Sequence, residues 1–336
     1  MQTSPYSAAA STGIETAQEG SIPVAAESTC KGGSSRDITW QGQPVLTSLR
    51  APASLAAGLY IVATPIGNLE DITLRALRVL RDADIVLAED TRHTRKLLSF
   101  FGLNCQLYSF HEHNEHSKEG QVLQRVRGGA SVALVSDAGV PAVSDPGARL
   151  VAAAIDAGLP VVPVPGPSAV LAALVASGLS CDAFHFVGFL PAKPGQRQKQ
   201  LQQLAGLQAT LIFFVPPHGL AARLADMTSV LGSGRRCVIA RELTKVHEEF
   251  RRGTLEELTA MATSTLFKGE MTLAVQGFSA AETTAARDDE GMQEFLQELI
   301  DAGMQPSQAG KIVSSRLGLP RGRVYEVAMR LAGVQR

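Results

Sequence analysis

Residues 58–68 read Gly-Leu-Tyr-Ile-Val-Ala-Thr-Pro-Ile-Gly-Asn, an apolar run of strand length that leads into a turn with a proline and a glycine. A strand without polar alternation is typical of a parallel sheet that is covered on both faces. Such a sheet needs further apolar strands and helices to cover them. The sequence that follows this stretch supplies both.

Apolar runs and helical periodicity alternate after this first strand. Helical spacing of apolar side chains occurs, for example, over 73–80 and 91–101. The alternation predicts an α/β fold with a parallel sheet, and a second α/β block follows from about 184 to 277. The predicted strands of the two blocks lie at 59–63, 85–88, 105–110, 132–135 and 161–164, and at 184–189, 210–215, 237–240 and 271–275.

The composition fits a globular chain of two domains with additions. Of 336 residues, 45% are hydrophobic and 19% charged, and the formal net charge is −1. These values exclude a wholly disordered or collagen-like chain, and any nucleic-acid binding must come from a local basic patch. The four cysteines lie far apart, which favours reduced thiols. The uncharged stretch 157–181 is interrupted by prolines, so we expect no membrane span and a cytoplasmic location.

Both ends of the chain differ from the α/β blocks. Residues 1–57 are rich in Ser, Ala, Thr and Gly, which predicts a disordered arm. Residues 281–302 hold seven acids against one arginine, whereas 303–336 hold six Lys and Arg against one glutamate. Two short helices are predicted over about 306–316 and 320–331. The predicted divisions are 1–57 (arm), 58–180 and 181–278 (α/β domains), 279–290 (linker) and 291–336 (basic helical module).

The turns after the predicted strands are the first candidates for a site, because open parallel sheets bind ligands beyond the carboxyl ends of their strands. Turns of glycine and proline follow three of the strands, at 64–68, 136–141 and 165–169. None is a dinucleotide-binding or P-loop motif. Small residues let a ligand approach the backbone closely, so the three turns together predict a ligand crevice.

Charged residues follow the second and third predicted strands. Glu89, Asp90 and Arg92 either bind a ligand or cap and solvate the first turn of a helix, and the sequence leaves both open. His111 and His113 would lie on one face of an extended strand and could ligate a metal. No further ligand at a standard spacing completes such a set, so the wall of a polar pocket is the better interpretation.

These blocks occur together, in this order, in one family. They resemble the signature of the bacterial 16S ribosomal RNA (cytidine-2′-O)-methyltransferases, within the tetrapyrrole methylase superfamily, over about 58–278. The tail resembles the C-terminal module of that subfamily. The resemblance implies two α/β domains of the tetrapyrrole methylase (class III methyltransferase) type with a cofactor cleft between them, plus a small C-terminal helical module. The matching blocks are 63–69, 88–92, 111–115, 136–141, 144–147, 165–169, 188–191, 240–245 and 268–270.

The resemblance also implies an activity. It implies a homodimer that uses S-adenosyl-L-methionine, and no metal, to methylate the ribose of a decoding-region cytidine in 16S rRNA of the small ribosomal subunit. The cofactor-binding residues that it implies by position are Thr64, Pro65, Gly67, Ser136, Asp137, Ala138, Gly139, Pro167, Ser168 and Ala169.

Other residues are candidates for the transfer itself and for RNA binding. Asp90 and Glu89 are candidates for the base or for an orienting group. Lys245 and Arg92 are candidates for electrostatic partners or phosphate ligands, although a strand-end salt bridge is an equal alternative for Lys245. On the tail, the residues expected to contact phosphates are Lys311, Arg316, Arg321 and Arg323.

The chain departs from the family pattern at one place, where Val215 and Gly219 stand in positions usually held by glutamate and arginine. This departure bears on substrate affinity or on the target. Two other functions compete with the implied one, the first because the superfamily shares one fold and the second because of this departure. A small-molecule (precorrin-type) methyltransferase is disfavoured by the turn at 64–68 and by the basic tail. A ribosomal-RNA-binding homologue with weakened catalysis is disfavoured by the intact turns.

Overall fold

The computed structural model describes residues 38–40, 43–46, 55–216, 218–301, 303–317 and 319–332. The disorder predicted for 1–57 therefore falls mostly outside the described residues. Within that segment, strands β1 (Ile38–Trp40) and β2 (Gln43–Leu46) pair in antiparallel orientation.

The first large sheet is entirely parallel, as the apolar runs predicted. Its strands are β3 (Gly58–Val62), β4 (Ile85–Ala88), β5 (Leu107–Ser109), β6 (Ser131–Val135) and β7 (Val161–Val164). They lie in the order β5-β4-β6-β3-β7. Adjacent residues such as Val86 and Leu87 are both fully buried but belong to different hydrophobic clusters. The sheet is therefore covered on both faces.

Helices supply that cover. A short 3₁₀ turn, Leu69–Asp71, precedes the first of them. Each helix follows a strand, and three begin at a side-chain cap: Thr73 accepts the Ala76 N–H, Asp90 accepts the Arg92 N–H, and Ser168 accepts the Leu171 N–H. The helices that cover the first sheet are α1 (Leu74–Asp82), α2 (Thr91–Phe100), α3 (Glu115–Arg127) and α4 (Ala148–Asp156). Helix α5 (Ala169–Ser177) follows β7 but packs on the second sheet, where Val170 and Leu174 join a cluster with Ile212.

The second sheet is mixed. Its strands are β8 (Phe184–Phe189), β9 (Thr210–Val215), β10 (Arg236–Arg241), β11 (Glu249–Thr254) and β12 (Met271–Val275), in the order β11-β10-β12-β9-β8. Only β8 and β9 pair in parallel. Strand β11 was not predicted, because it is an edge strand with exposed Arg251 and Arg252 instead of an apolar run. The helices of this second block are α6 (Pro194–Leu204), α7 (Leu220–Leu231) and α8 (Leu255–Ser264).

The C-terminal region consists of three helices joined by short connections, α9 (Ala280–Asp301), α10 (Pro306–Leu317) and α11 (Arg321–Leu331). The two short helices were predicted correctly. The segment predicted as a linker, 279–290, is helical from Ala280 onward, because alanine, glutamate and arginine favour helix in the absence of glycine or proline. The remaining domain boundaries stay a prediction.

The described residues form two compact units. The larger contains both sheets, up to Gln203 and over Thr210–Gln276, and the smaller contains Leu204–Ala209 and the residues from Gly277 onward. The smaller unit has its own apolar core, built by α9, α10 and α11 from residues that include Met292, Leu296, Val313 and Val324. In the parts of the chain that the structure describes, no helix combines the length and the apolar character needed to cross a bilayer.

Candidate functional site

Two of the predicted turns are bonded to each other at the carboxyl edge of the first sheet, where β6, β3 and β7 are neighbours. The Thr64 N–H donates to the Gly139 carbonyl at 2.9 Å, and the Gly139 N–H donates to the Thr64 carbonyl at 3.0 Å. The Thr64 hydroxyl donates to the Ser136 carbonyl at 3.1 Å. Gly139 has a φ of 80°, a value that side chains disfavour. The turns after β3 and β6 therefore form one continuous backbone surface.

The third turn, after β7, packs directly on the first. A Cβ at Gly166 would lie 2.9 Å from the Ala63 Cβ, so this close approach depends on glycine. The turn ends at Ser168, whose hydroxyl accepts the N–H of Leu171 at 3.5 Å and caps α5. The three turns that the sequence identified separately are thus one wall.

This wall borders a cavity of about 560 Å³, which is within the usual range for small-molecule sites. Both sheets contribute to its lining. The first-sheet side supplies Ile66, Ala138, Gly139, Val140, Val143, Ser144, Asp145, Ser168, Ala169, Val170 and Leu171. The second-sheet side supplies Phe184, Phe186, Phe189, Phe214, Val215, Pro216, Ala240, Leu243, Glu270, Met271 and Thr272.

The residues implied for cofactor binding divide into two groups. Ala138, Gly139, Ser168 and Ala169 line the cavity. The others are not among the lining residues, and two of them, Thr64 and Ser136, are buried and bonded to each other in the turns. These others are Thr64, Pro65, Gly67, Ser136, Asp137 and Pro167.

Carboxylates form an acidic cluster, Glu89, Asp137 and Asp145, beyond β4 and β6. The Asp137 N–H donates to the Glu89 carboxylate, yet burial and the nearby charge of Asp137 raise the pKa of Glu89. Burial raises the pKa of Asp145 to about 6 against a hydrogen bond from Ser136, and the charges of Glu89 and Asp137 add to the rise. Asp145 lies in the matching block 144–147 but was not predicted as a site residue.

Asp90 and Arg92 lie at the start of α2. The Asp90 carboxylate accepts the Arg92 N–H at 2.7 Å, and the Asp90 N–H donates to Asp137 Oδ1 at 3.0 Å. Asp90 therefore has the capping role that the sequence left open. Both side chains are exposed, and neither they nor Glu89 line the cavity.

The two histidines do not lie on an extended strand as expected, because β5 ends at Ser109 and a turn begins. Asn114 Nδ2 is 3.0 Å from His111 Nε2, and its Oδ1 accepts the His111 N–H at 3.0 Å. The buried His111 Nδ1 has no hydrogen-bond partner. Among the described residues, no group of three or more His, Cys, Asp or Glu is arranged to hold a metal ion.

A second cluster, the paired cluster of Glu242, Lys245 and Glu270, lies on the second-sheet side. Lys245 Nζ is 2.9 Å from Glu242 Oε1 and 2.8 Å from Glu270 Oε2, and the Glu270 N–H donates to Glu242 Oε1 at 2.9 Å. Burial alone would raise the pKa of Glu242, but this N–H and the lysine lower it below its usual range. The Lys245 pKa is raised, because the two carboxylates outweigh burial. The strand-end salt bridge proposed as an alternative for Lys245 is present.

The paired cluster touches the first turn through a glycine. A Cβ at Gly67 would lie 2.8 Å from the Leu243 carbonyl oxygen and would overlap the Lys245 side chain. Glu242 and Thr244 adopt φ values of 52° and 65°, which are rare for residues with side chains and are common near functional sites. The contact thus joins the first-sheet turn to the second sheet in a fixed arrangement.

Aromatic side chains form much of the second-sheet lining, and the sequence analysis did not identify this role. The Phe186 and Phe214 rings pack edge to face with centroids 4.9 Å apart, and Phe189 lies 5.5 Å from Phe214. Val215, one of the two departures from the family pattern, also lines the cavity. The other, Gly219, has a φ of 83° and leaves room for the Arg223 guanidinium, which donates to its carbonyl at 3.1 Å.

The predicted RNA-binding residues lie on the last two helices of the smaller unit. Arg316 stands over the Phe295 ring, 5.0 Å from its centroid, so this side chain also packs on the helical core. The four side chains are exposed: Lys311, Arg316, Arg321 and Arg323.

Comparison with known proteins decides the family. The model of the tetrapyrrole (corrin/porphyrin) methylases matches residues 58–259. The chain belongs to the tetrapyrrole methylase family. The fold agrees: the crystal structure of the methyltransferase CobJ superposes with a TM-score of 0.52 at 18% identity, over 66% of this chain and 94% of that one. Methylases of this family use S-adenosylmethionine, so the predicted cofactor is confirmed at the level of the family.

Within the family, curated relatives share one name. A Synechocystis protein named ribosomal RNA small subunit methyltransferase I is 44% identical over 81% of this chain and 98% of its own length. A Mesorhizobium japonicum protein of the same name is 49% identical over 78% of this chain and 89% of its own length. This tetrapyrrole methylase therefore resembles these relatives over nearly their whole length.

Proposed function

We propose that this protein transfers a methyl group from S-adenosylmethionine to the 2′-oxygen of a cytidine ribose in the decoding region of 16S rRNA, on the small ribosomal subunit in the cytoplasm. The observation that carries the proposal is the likeness, 40–49% identical, to relatives named ribosomal RNA small subunit methyltransferase I. The exposed basic side chains of α10 and α11 add to it. A tetrapyrrole substrate accounts for neither.

The cavity fits the cofactor by its chemistry. S-adenosylmethionine supplies a methyl group that is activated by the positive charge on sulfur. The small residues of the turns, Ala138, Gly139 and Ala169, let a ligand approach this wall closely, and the phenylalanines of the opposite wall offer apolar and aromatic surface. The carboxylate of Glu270 suits a cationic ligand. We assign the remaining turn residues, Thr64 and Ser136 among them, to holding this surface in shape.

The protein's contribution to the transfer is alignment and placement of charge. Orienting the reactants can lower the barrier by several kcal/mol, roughly 7–11 at best. Glu89 and Asp90 are the proposed orienting groups, because both carboxylates are themselves fixed by backbone N–H donors. Lys245 and Arg92 are the proposed phosphate ligands beside the cavity, with Lys245 also holding the paired cluster.

The activity has a direct test. Labelled S-adenosylmethionine is supplied with small subunits that lack their native modifications, with free 16S rRNA and with a tetrapyrrole as parallel acceptors. Label on a cytidine ribose of the rRNA supports the proposal. Label on the tetrapyrrole contradicts it in favour of a small-molecule methyltransferase. Cofactor binding without transfer to any acceptor contradicts it in favour of an RNA-binding homologue.

The tail assignment needs a separate test in the full-length chain. We expect Lys311→Gln with Arg321→Gln to weaken binding of small subunits and to reduce the slope of log K against log salt by about 1 for each lost phosphate contact. Cofactor affinity stays at the wild-type value. Arg78→Gln with Lys199→Gln is the matched control, because both side chains are exposed on the larger unit. Equal slopes for all three proteins contradict the assignment.

Homodimer formation is the remaining part of the proposal. Helix α5 is apolar all round, yet Leu171 and Val175 are 51% and 72% exposed, and Phe184 on the edge strand β8 is 43% exposed. Exposed apolar surface of this kind is typical of an interface. Sedimentation of the wild type as a dimer and of Val175→Asp as a monomer would support the assembly, and a monomeric wild type would contradict it.

A further inference from the structure

Two of the side chains that line the cavity can ionise, Asp145 and Glu270. Glu270 is bound to Lys245 and its side chain is 75% exposed. Asp145 is only partly exposed, and the ion pairs found among the described residues do not include it. The cavity therefore contains one carboxylate that is bound by a cation and one that is not.

The loop that carries Asp145 is held rigidly. Ala142 and Ser144 adopt φ values of 70° and 63°, and the Ala142 N–H donates to the Pro146 carbonyl at 3.2 Å. Gly147 follows with a φ of 118°, and a Cβ there would lie 2.5 Å from Leu134 Cδ2 on β6. Strained backbone of this kind persists where surrounding packing fixes it. The loop thus keeps the carboxylate at a set position in the cavity wall.

The surroundings of Asp145 suit a group that takes up a proton near neutral pH. Burial raises its pKa to about 6, the hydroxyl of Ser136 opposes the rise, and the charges of Glu89 and Asp137 increase it. His111 faces Glu89 in turn. Catalytic bases work best when their pKa lies close to the working pH.

The other carboxylates near the turns, those of Glu89 and Asp90, already accept hydrogen bonds from backbone N–H groups. The Glu89 carboxylate accepts the Asp137 N–H, and the Asp90 carboxylate accepts the Arg92 N–H at 2.7 Å. Neither lines the cavity. These bonds suit an orienting role, and they leave Asp145 as the carboxylate that faces the bound reactants.

We propose that the Asp145 carboxylate accepts the proton of the ribose 2′-hydroxyl, an inference that rests on the proposed function. As the 2′-oxygen bonds to the methyl carbon, the carbon–sulfur bond breaks with its electron pair remaining on sulfur, and the hydroxyl proton passes to Asp145. The positive charge of the donor is cancelled, and the proton is held by the protein until solvent removes it.

The test compares Asp145→Asn with Asp156→Asn, an exposed carboxamide control at the end of α4. In single-turnover transfer to small subunits, the wild-type and control rates rise with pH through about 6 and then level off. Asp145→Asn turns over about 10²–10⁴-fold more slowly at pH 7.5 and lacks this limb. Calorimetry shows unchanged affinity for S-adenosylmethionine in all three proteins.

A readout that does not depend on activity accompanies this comparison. Carbon-13 carboxyl spectra of the protein contain a titration near pH 6 that is absent from Asp145→Asn and present in Asp156→Asn. Ser136→Ala supplies a second variant that retains the carboxylate. Loss of the hydroxyl removes the hydrogen bond that lowers the Asp145 pKa, so both the carboxyl titration and the rate limb move to higher pH.

The outcomes separate this inference from the proposed function. If the wild type is active and Asp145→Asn keeps its rate and pH limb, Asp145 is not the proton acceptor although the methyltransferase assignment stands. If Asp145→Asn loses cofactor affinity, the residue is a binding group and the inference is overturned. If the wild type methylates no rRNA, the proposed function fails. Independently of activity, the inference is overturned if the carboxyl titration near pH 6 is still present in Asp145→Asn.

Discussion

The acidic cluster and the paired cluster both contain carboxylates, but the carboxyl pKa values shift in opposite directions in the two clusters. On the first-sheet side, burial and like charges raise the pKa values of Glu89 and Asp145. On the second-sheet side, the Glu270 N–H and Lys245 lower the pKa of Glu242 in spite of burial. A carboxylate with a cation and an N–H beside it stabilises the folded chain, whereas one without them weakens it.

The opposite pKa shifts indicate that the two clusters have different roles around the cavity. The paired cluster fixes the position of the second sheet against the turn at Gly67. In the acidic cluster, Asp145 keeps a poorly compensated charge where it faces the cavity. Poorly compensated groups are typical of functional sites, where activity is gained at some expense of stability. Three variants test this contrast.

The largest effect is expected from Gly67→Ala, which forces the two sides apart. Its Cβ would meet a backbone carbonyl of Leu243 as well as Lys245, so relief requires movement of the chain. We expect a loss of about 1–3 kcal/mol in the free energy of unfolding and at least tenfold weaker binding of S-adenosylmethionine. Urea unfolding and calorimetry measure the two. Gly120→Ala in α3, which has open space around it, is the control and should be neutral or slightly stabilising.

Asp145→Asn is expected to stabilise the protein at neutral pH while it slows transfer. The raised pKa means that the folded state binds the proton more tightly than the unfolded state, so stability falls as pH rises from about 4 to 6. Removing the charge recovers about 1–2 kcal/mol at pH 7 after allowance for partial exposure. Urea midpoints across this range should show the gain fading in acid. A loss of stability at pH 7 would contradict the contrast.

Lys245→Met is expected to have the smallest effect on the free energy of unfolding. It should destabilise the protein, whereas Asp145→Asn should stabilise it. Because the Glu242 pKa is lowered in the folded state, its contribution is present above the usual glutamate pKa and disappears as pH falls through the lowered value. The variant should lose about 0.5–1 kcal/mol at pH 7, as expected for a partly exposed pair. Its urea midpoint should approach that of the wild type in acid. An equal deficit at every pH would mean that lost packing, not charge, is responsible.

The sequence predicted the first sheet well because burial on both faces leaves a continuous apolar run. The strands at Ile85–Ala88 and Val161–Val164 have the predicted bounds. Strand β11 was missed since an edge strand with Arg251 and Arg252 carries no such signal. The helix across the predicted linker was missed because alanine and charged residues read equally as helix or as a solvated connection.

The site was predicted in its backbone but not in its chemistry. Glycine and proline mark turns, so the wall around Gly139 and Ser168 was visible in the sequence. The sequence did not show that Asp145 lacks an ion-pair partner, because this depends on where the fold places the basic side chains. Lys245 illustrates the point: its partner Glu270 is distant in sequence and meets it through the pairing of β10 with β12.

The strand order has a consequence for how the chain folds while it is being synthesised. Strand β3, the first of this sheet to be made, pairs only with strands that follow much later in the chain: Leu59 pairs with Val132 on one side and with Val161 on the other. When the ribosome has made β3, β4 and β5, β4 can pair with β5, but both neighbours of the apolar strand β3 are still to be synthesised. Pairings so distant in sequence fold slowly and leave unpaired strand edges open to aggregation. We expect nascent chains that stop before β7 to require a chaperone.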